Sequence, residues 1–148
     1  MELFAISGLI NGIASLSFAL LIIYKNWRDA INRVFSLLML AVGIWSVGYW
    51  QWLSSASHDP ALFWIRILSV GSTLVPVFYL HWILLLLGQK NTRRLLISTY
   101  ILLSLILSLT FSNLFIKAVI PKSFFPFWPD PGFVSHFYLF VVYFVLVV

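Results

Sequence analysis

Residues 32–60 read NRVFSLLMLAVGIWSVGYWQWLSSASHDP. After Arg33 the twenty residues from Val34 to Leu53 carry no charged side chain, and the next ionisable groups are His58 and Asp59. An α-helix of that length rises about 30 Å, the thickness of a bilayer's hydrocarbon core. The run is continuously apolar and does not alternate, which argues against a transmembrane strand. A helix also satisfies its own backbone hydrogen bonds, the condition for crossing lipid. The stretch therefore predicts a membrane-spanning helix over 34–53.

Composition extends this reading to the whole chain. Of its 148 residues 62% are hydrophobic and 9% charged, with a mean hydropathy of +1.04. Soluble domains carry roughly 25% charged and 45–50% apolar residues, and a compact body of this length has too little interior to hide the excess. Further apolar runs predict spans over about 3–24, 62–87 and 95–116. A fifth begins at His136 and is still apolar at Val148; those thirteen residues rise only about 20 Å, so the sequence is expected to stop inside a span. The expected fold is an all-α integral membrane helical bundle, a single transmembrane domain over 1–148, with four complete helices and the start of a fifth. The first run lacks a basic n-region and exceeds the usual apolar region of a signal peptide, so it is expected to be retained.

The net charge of +5 comes from basic residues outside the spans. Lys25, Arg28 and Arg33 lie in the first loop and Lys90, Arg93 and Arg94 in the third; loop 54–61 has no Lys or Arg, and loop 117–135 has Lys117 and Lys122. Basic loops stay in the cytoplasm, which predicts a multi-pass protein of the cell (inner) membrane with its N-terminus outside. The lipid bilayer is the expected partner, and nucleic acid is not. Trp50, Trp52, Trp64 and Trp128 then fall at the outer boundary and Trp27 and Trp82 at the inner one, an aromatic belt at headgroup depth.

Several residues depart from a uniform apolar span. Ala41, Trp45, Gly48 and Trp52 share one helical stripe, on which small residues admit another helix; Trp45 is expected between helices, with contact to a ligand as the alternative, and Tyr49 follows it by one turn. Gly8 and Gly12 form GxxxG beside Asn11, which predicts close packing within the chain in preference to a homodimer, with Asn11 facing protein. Asp59 and Pro60 suggest the N-cap and first position of the third helix. Arg66 is expected to snorkel to the headgroups, or else to serve an outward-facing pocket. His81 lies about 22 Å further along the same helix, beside Trp82, where a hydrogen-bonded interfacial role is expected; pH sensing or metal binding needs partners the sequence does not show. Gly71 and Pro76 interrupt this helix, and Pro76 either creates a hinge by freeing a carbonyl or is tolerated in a packed span. In loop 117–135, Pro121, Pro126, Pro129 and Pro131 are interleaved with Phe124, Phe125, Phe127 and Trp128. That composition suggests a stiff segment lying on the outer leaflet or capping the bundle.

The sequence has no cysteine, and its four acidic residues all lie outside the predicted spans. It lacks a Walker loop, HExxH and GxSxG. No enzymatic activity, cofactor or metal is therefore expected.

The segments NRVFSLLMLAVGIWSVGYWQWL and LFWIRILSVGSTLVPVFYLHWILLLLG carry a resemblance. Asn32-Arg33 with Phe35, Trp45, Gly48-Tyr49, Trp64-x-Arg66, Gly71, Pro76 and the LLLLG exit at Gly88 resemble the N-terminal seven-helix (7TM) region of bacterial sensor histidine kinases, a region also found on diguanylate cyclases. The resemblance implies a signal-input module whose remaining helices and cytoplasmic PAS, kinase or cyclase domain lie beyond this sequence. Trp45, Tyr49, Arg66, Pro76 and His81 are the candidate ligand or relay residues. The rival expectation is a piece of a small-solute transporter, and a third is a bundle that scaffolds partners.

Overall fold

The computed structural model describes residues 2–147, with side-chain surroundings through Val142. Its elements are α1 (Glu2–Asn26), α2 (Ala30–Leu53), α3 (His58–Leu86), α4 (Arg93–Leu109), β1 (Ile116–Lys122), β2 (Phe125–Pro131) and α5 (Phe133–Val147). α1, α2 and α3 are each long and apolar enough to cross a membrane. α4 has 17 residues and rises about 25 Å. Leu3, Phe4, Ile10, Leu20 and Leu21 of α1 are exposed, a contiguous apolar face of the kind that soluble monomers avoid and lipid accepts.

α1 packs on α2 through its small residues. Ala5, Gly8, Gly12, Ser15 and Ala19 are buried at helical spacing, and Asn11 Nδ2 donates to Ser46 Oγ on α2 at 2.7 Å. Gly8, Asn11 and Gly12 all lie against residues of α2. The opposite side of α2 meets α3 almost backbone to backbone. A Cβ on Gly48 would lie 2.7 Å from the Leu68 amide nitrogen, and one on Gly71 would overlap the Trp45 backbone. Each helix offers a glycine to a large residue of the other. In lipid such close van der Waals contact, rather than a hydrophobic driving force, holds helices together. Ala41 is also buried, at 1% exposure.

The turns follow local chemistry. The Asp29 carboxylate accepts from the Ile31 amide at 3.1 Å and caps α2. α3 starts earlier than expected: Ser57 is its N-cap, in extended conformation, and Asp59 lies inside the first turn with Pro60. Amides of a first turn have no helical acceptor, so Pro60 loses nothing there, and the Asp59 charge still favours the helix N-terminus. At the other end Gly88 adopts φ +61°. Its amide donates to Leu85 O at 3.1 Å and that of Gln89 to Leu84 O at 3.2 Å, the paired reverse bonds that close a helix through a left-handed residue.

The fourth apolar run continues to Ile116, but the helix ends at Leu109. Thr110 Oγ1 donates to Ile106 O at 3.2 Å, Ser112 Oγ donates to Leu109 O at 2.6 Å, and Ser112 Oγ accepts from the Leu114 amide at 3.2 Å. Hydroxyl side chains thus take over the groups that would propagate the helix. Phe115 and Ile116 turn into the core at 2% and 4% exposure. The chain then forms an antiparallel hairpin, with Ile116 opposite Pro131, Ile120 opposite Trp128 and Lys122 opposite Phe125. Its turn is Ser123-Phe124, with Ser123 at φ 52°. Prolines donate no ladder bond, and a two-stranded sheet leaves outer edges where they fit. This hairpin is a small addition to a helical fold. α5 begins at Phe133 rather than His136, because the Gly132 and Val134 amides donate to Phe115 O and Leu114 O and fix the start of the helix against the end of α4.

Gly71→Leu is expected to destabilise the bundle by about 1–3 kcal/mol, since it overpacks a backbone contact, whereas Ile10→Leu on the exposed face of α1 stays within about 0.5 kcal/mol. Unfolding of both variants by SDS titration in mild detergent checks this.

Candidate functional site

The proline in the middle of α3 defines the site. Pro76 has no amide hydrogen, so the carbonyl four residues earlier, that of Ser72, has no donor within its helix. A carbonyl left unpaired in an apolar interior costs a few kcal/mol. Here Tyr138 of α5 supplies the donor: its hydroxyl donates to Ser72 O at 2.6 Å. The Tyr138 side chain is buried, 8% exposed, and its ring lies 6.0 Å from that of Phe115. A side chain from another helix thus replaces a missing backbone bond.

Beside this latch lies a cavity of about 230 Å³ between α3, α4 and α5. Pro76 and Tyr138 form part of its wall, with Thr73, Val77 and Leu80 from α3, Thr99, Leu102, Leu103 and Ile106 from α4, and Val141 from α5. The hydroxyls in the wall are turned to their own helices: Thr73 Oγ1 donates to Ser69 O, and Ser98 Oγ and Thr99 Oγ1 both donate to Leu95 O, at 2.8–2.9 Å. What remains facing the cavity is mostly hydrocarbon.

The other candidates are spread along α2 and α3. Trp45 and Tyr49 stack with ring centroids 5.6 Å apart; Tyr49 meets Trp52 edge-on at 5.8 Å, and Trp52 stacks on Phe125 of the hairpin at 6.0 Å. The Trp52 indole N–H donates to Phe127 O at 2.7 Å, and Lys122 Nζ sits 5.6 Å from the Trp128 ring centroid. A continuous ladder of rings therefore runs from the middle of α2 into the hairpin, which covers that end of the bundle. Trp52, expected in the aromatic belt, is instead 7% exposed and part of the core, because the hairpin supplies both its acceptor and its stacking partner. Arg66 does not simply snorkel outward. Its Nη2 donates to Asn113 Oδ1 at 3.0 Å and to Ile116 O at 3.3 Å, tying α3 to the turn that ends α4. At the opposite end of α3, His81 Nδ1 is 2.9 Å from the Tyr100 hydroxyl of α4.

Arg66, Pro76 and His81 thus occupy three levels of one helix: Arg66 is bonded to the turn and strand that follow α4, Pro76 lines the cavity and His81 meets α4, while Trp45 and Tyr49 belong to the ring ladder. Tyr138 and Tyr100 were not singled out from the sequence. Neither spacing nor composition pairs a tyrosine with a carbonyl 66 residues away; the only cue is a phenol in an apolar run together with a proline in another. No group of three or more His, Cys, Asp or Glu side chains that could hold a metal occurs among the described residues.

The latch makes a sharp prediction. Tyr138→Phe should cost about 0.6–1.7 kcal/mol, the range of interhelical hydrogen bonds in membranes. In a Pro76→Ala background, which restores a backbone donor for Ser72 O, the same change should cost markedly less. A double-mutant cycle on unfolding free energy measures this coupling.

The sequence model of the family described as the N-terminal 7TM region of histidine kinase matches residues 8–148. Searches of curated proteins and of solved structures return no match. The helices that can cross a membrane and a family match over nearly the whole chain agree: the chain belongs to the N-terminal 7TM region family of histidine kinases, a membrane-embedded sensory input region.

Proposed function

We propose that this module relays a stimulus by repacking α4 and α5 against a fixed α1–α2–α3 unit, passing the change through further helices to a cytoplasmic output domain of the kinase or cyclase type. The observation that carries the reading is the Tyr138–Ser72 latch at Pro76. A proline-interrupted helix whose free carbonyl is held by another helix has two accessible packings, with the bond made or broken. Such bistable contacts are what switching proteins amplify. A stimulus shifts their balance only if it binds the two packings unequally. A bond worth about 0.6–1.7 kcal/mol corresponds to a bias of about three- to twentyfold, large enough to read out and small enough to reverse. The contrast within the bundle supports the same division. α2 and α3 meet backbone to backbone at Gly48 and Gly71, whereas α3, α4 and α5 border a half-open cavity, with polar bonds joining α3 to α5 at Ser72 and to α4 at His81.

In this reading the N-terminus and the hairpin lie outside the cell, and the basic loops around Lys25 and Lys90 lie in the cytoplasm of a cell whose inner membrane holds the module. The gene beyond Val148 is expected to encode further spans and then a PAS, kinase or cyclase domain; intramembrane carboxylates in those spans, or no signalling domain, would argue for transport instead. A reporter fused after Tyr24 should report the cytoplasmic side, and its appearance outside overturns the orientation. In the full-length protein, Tyr138→Phe should shift basal output by about three- to twentyfold. Equal output from wild type, Tyr138→Phe and Pro76→Ala would remove the latch from the relay.

A further inference from the structure

The cavity beside Pro76 has a size and a lining that select an occupant. Its volume of about 230 Å³ exceeds by about half the apolar cavity of roughly 150 Å³ that takes up benzene in an engineered protein. By the same ratio it holds a molecule of about nine heavy atoms. Ordered water needs two to four polar partners, but the Thr73, Ser98 and Thr99 hydroxyl hydrogens are already committed to their own helices. An apolar molecule therefore suits the wall better than water. Ile101 and Leu105 of α4 and Leu139 of α5 are exposed, apolar surface of the kind that lipid accepts, and a molecule dissolved in a bilayer meets such a surface without crossing water.

We infer that this cavity binds a small, membrane-dissolved apolar molecule, a ring or short chain of about nine heavy atoms, and that its occupation holds Tyr138 on the Ser72 carbonyl. The second part follows from the wall. Pro76 and Tyr138 both line the cavity, and the cavity exists in the packing in which the bond is made. A molecule that fills it contacts the latched arrangement and stabilises it, whereas an empty void leaves its lining without dispersion partners and favours closer approach of α4 and α5. The binding site stands on geometry alone; its coupling to the latch rests on the relay proposed above.

The test uses the full chain in phosphatidylcholine nanodiscs, titrated with n-propylbenzene, with thermal stability as readout. The wild type should be stabilised saturably, as a ligand bound only by the folded state requires. Thr99→Phe, which fills the cavity, should abolish the saturable shift. Leu103→Ala, which enlarges it, should move the preference toward n-pentylbenzene and covers the case in which Thr99→Phe does not fold. Tyr138→Phe should weaken binding by about three- to twentyfold. A shift that is linear in probe and identical in all variants means that the probe acts through the bilayer, or that an acyl chain or a further helix fills the space, and overturns the site. Saturable binding lost in Thr99→Phe but undiminished in Tyr138→Phe overturns the coupling and leaves the site standing.

Discussion

A carbonyl in hydrocarbon must find a donor within the protein, because no water is present to supply one. This constraint organises the bundle. It makes helices the form of every long apolar run, and it turns each interruption of a helix into a demand on a neighbour. At Thr110 and Ser112 the demand is met locally by hydroxyls, and α4 ends there. At Ile116 it is met by Arg66 from α3. At Pro76 it is met by Tyr138, from a helix more than sixty residues away in sequence. The places where the backbone departs from a regular helix are therefore the places where helices are bound to one another.

Lipid also removes the hydrophobic drive that glues helices in water, so contact quality decides which helices stay together. α1, α2 and α3 have small residues on the facing stripes and pack closely. α3, α4 and α5 carry Leu, Val and Tyr where they face each other, keep a cavity between them, and depend on individual hydrogen bonds. This asymmetry gives one tightly packed half and one half with room to move, joined at the proline. The ring ladder from Trp45 through Tyr49 and Trp52 to Phe125 extends the tightly packed half into the hairpin and makes the cap part of the same packed unit.

Much of the fold was legible in the sequence because the governing signals are local. Length and hydropathy fix a spanning helix, and Ala41, Gly48, Gly8 and Gly12 mark close contacts because only small side chains permit them. The misjudged points have equally local reasons: Ser57 displaced Asp59 as the cap of α3, and hydroxyls ended α4 before its apolar run was over. Loop 117–135 was readable as stiff but not as a hairpin, since proline-rich segments lack the alternation that announces a strand, and here pairing depends on the partner strand and the bundle beneath.

Sequence by itself determined that the chain lies in a membrane, that its long apolar runs are helical at their centres and that a proline interrupts the third of them, since these follow from residue type and spacing. Tertiary structure alone decided that Tyr138 takes that carbonyl, that Arg66 turns to Asn113 and His81 to Tyr100, that Trp52 is core rather than belt, and that a cavity remains beside the proline. Each of these is a meeting of groups from segments distant in the sequence. Which side chains meet is set by how the helices approach, and no spacing along one chain segment encodes that approach.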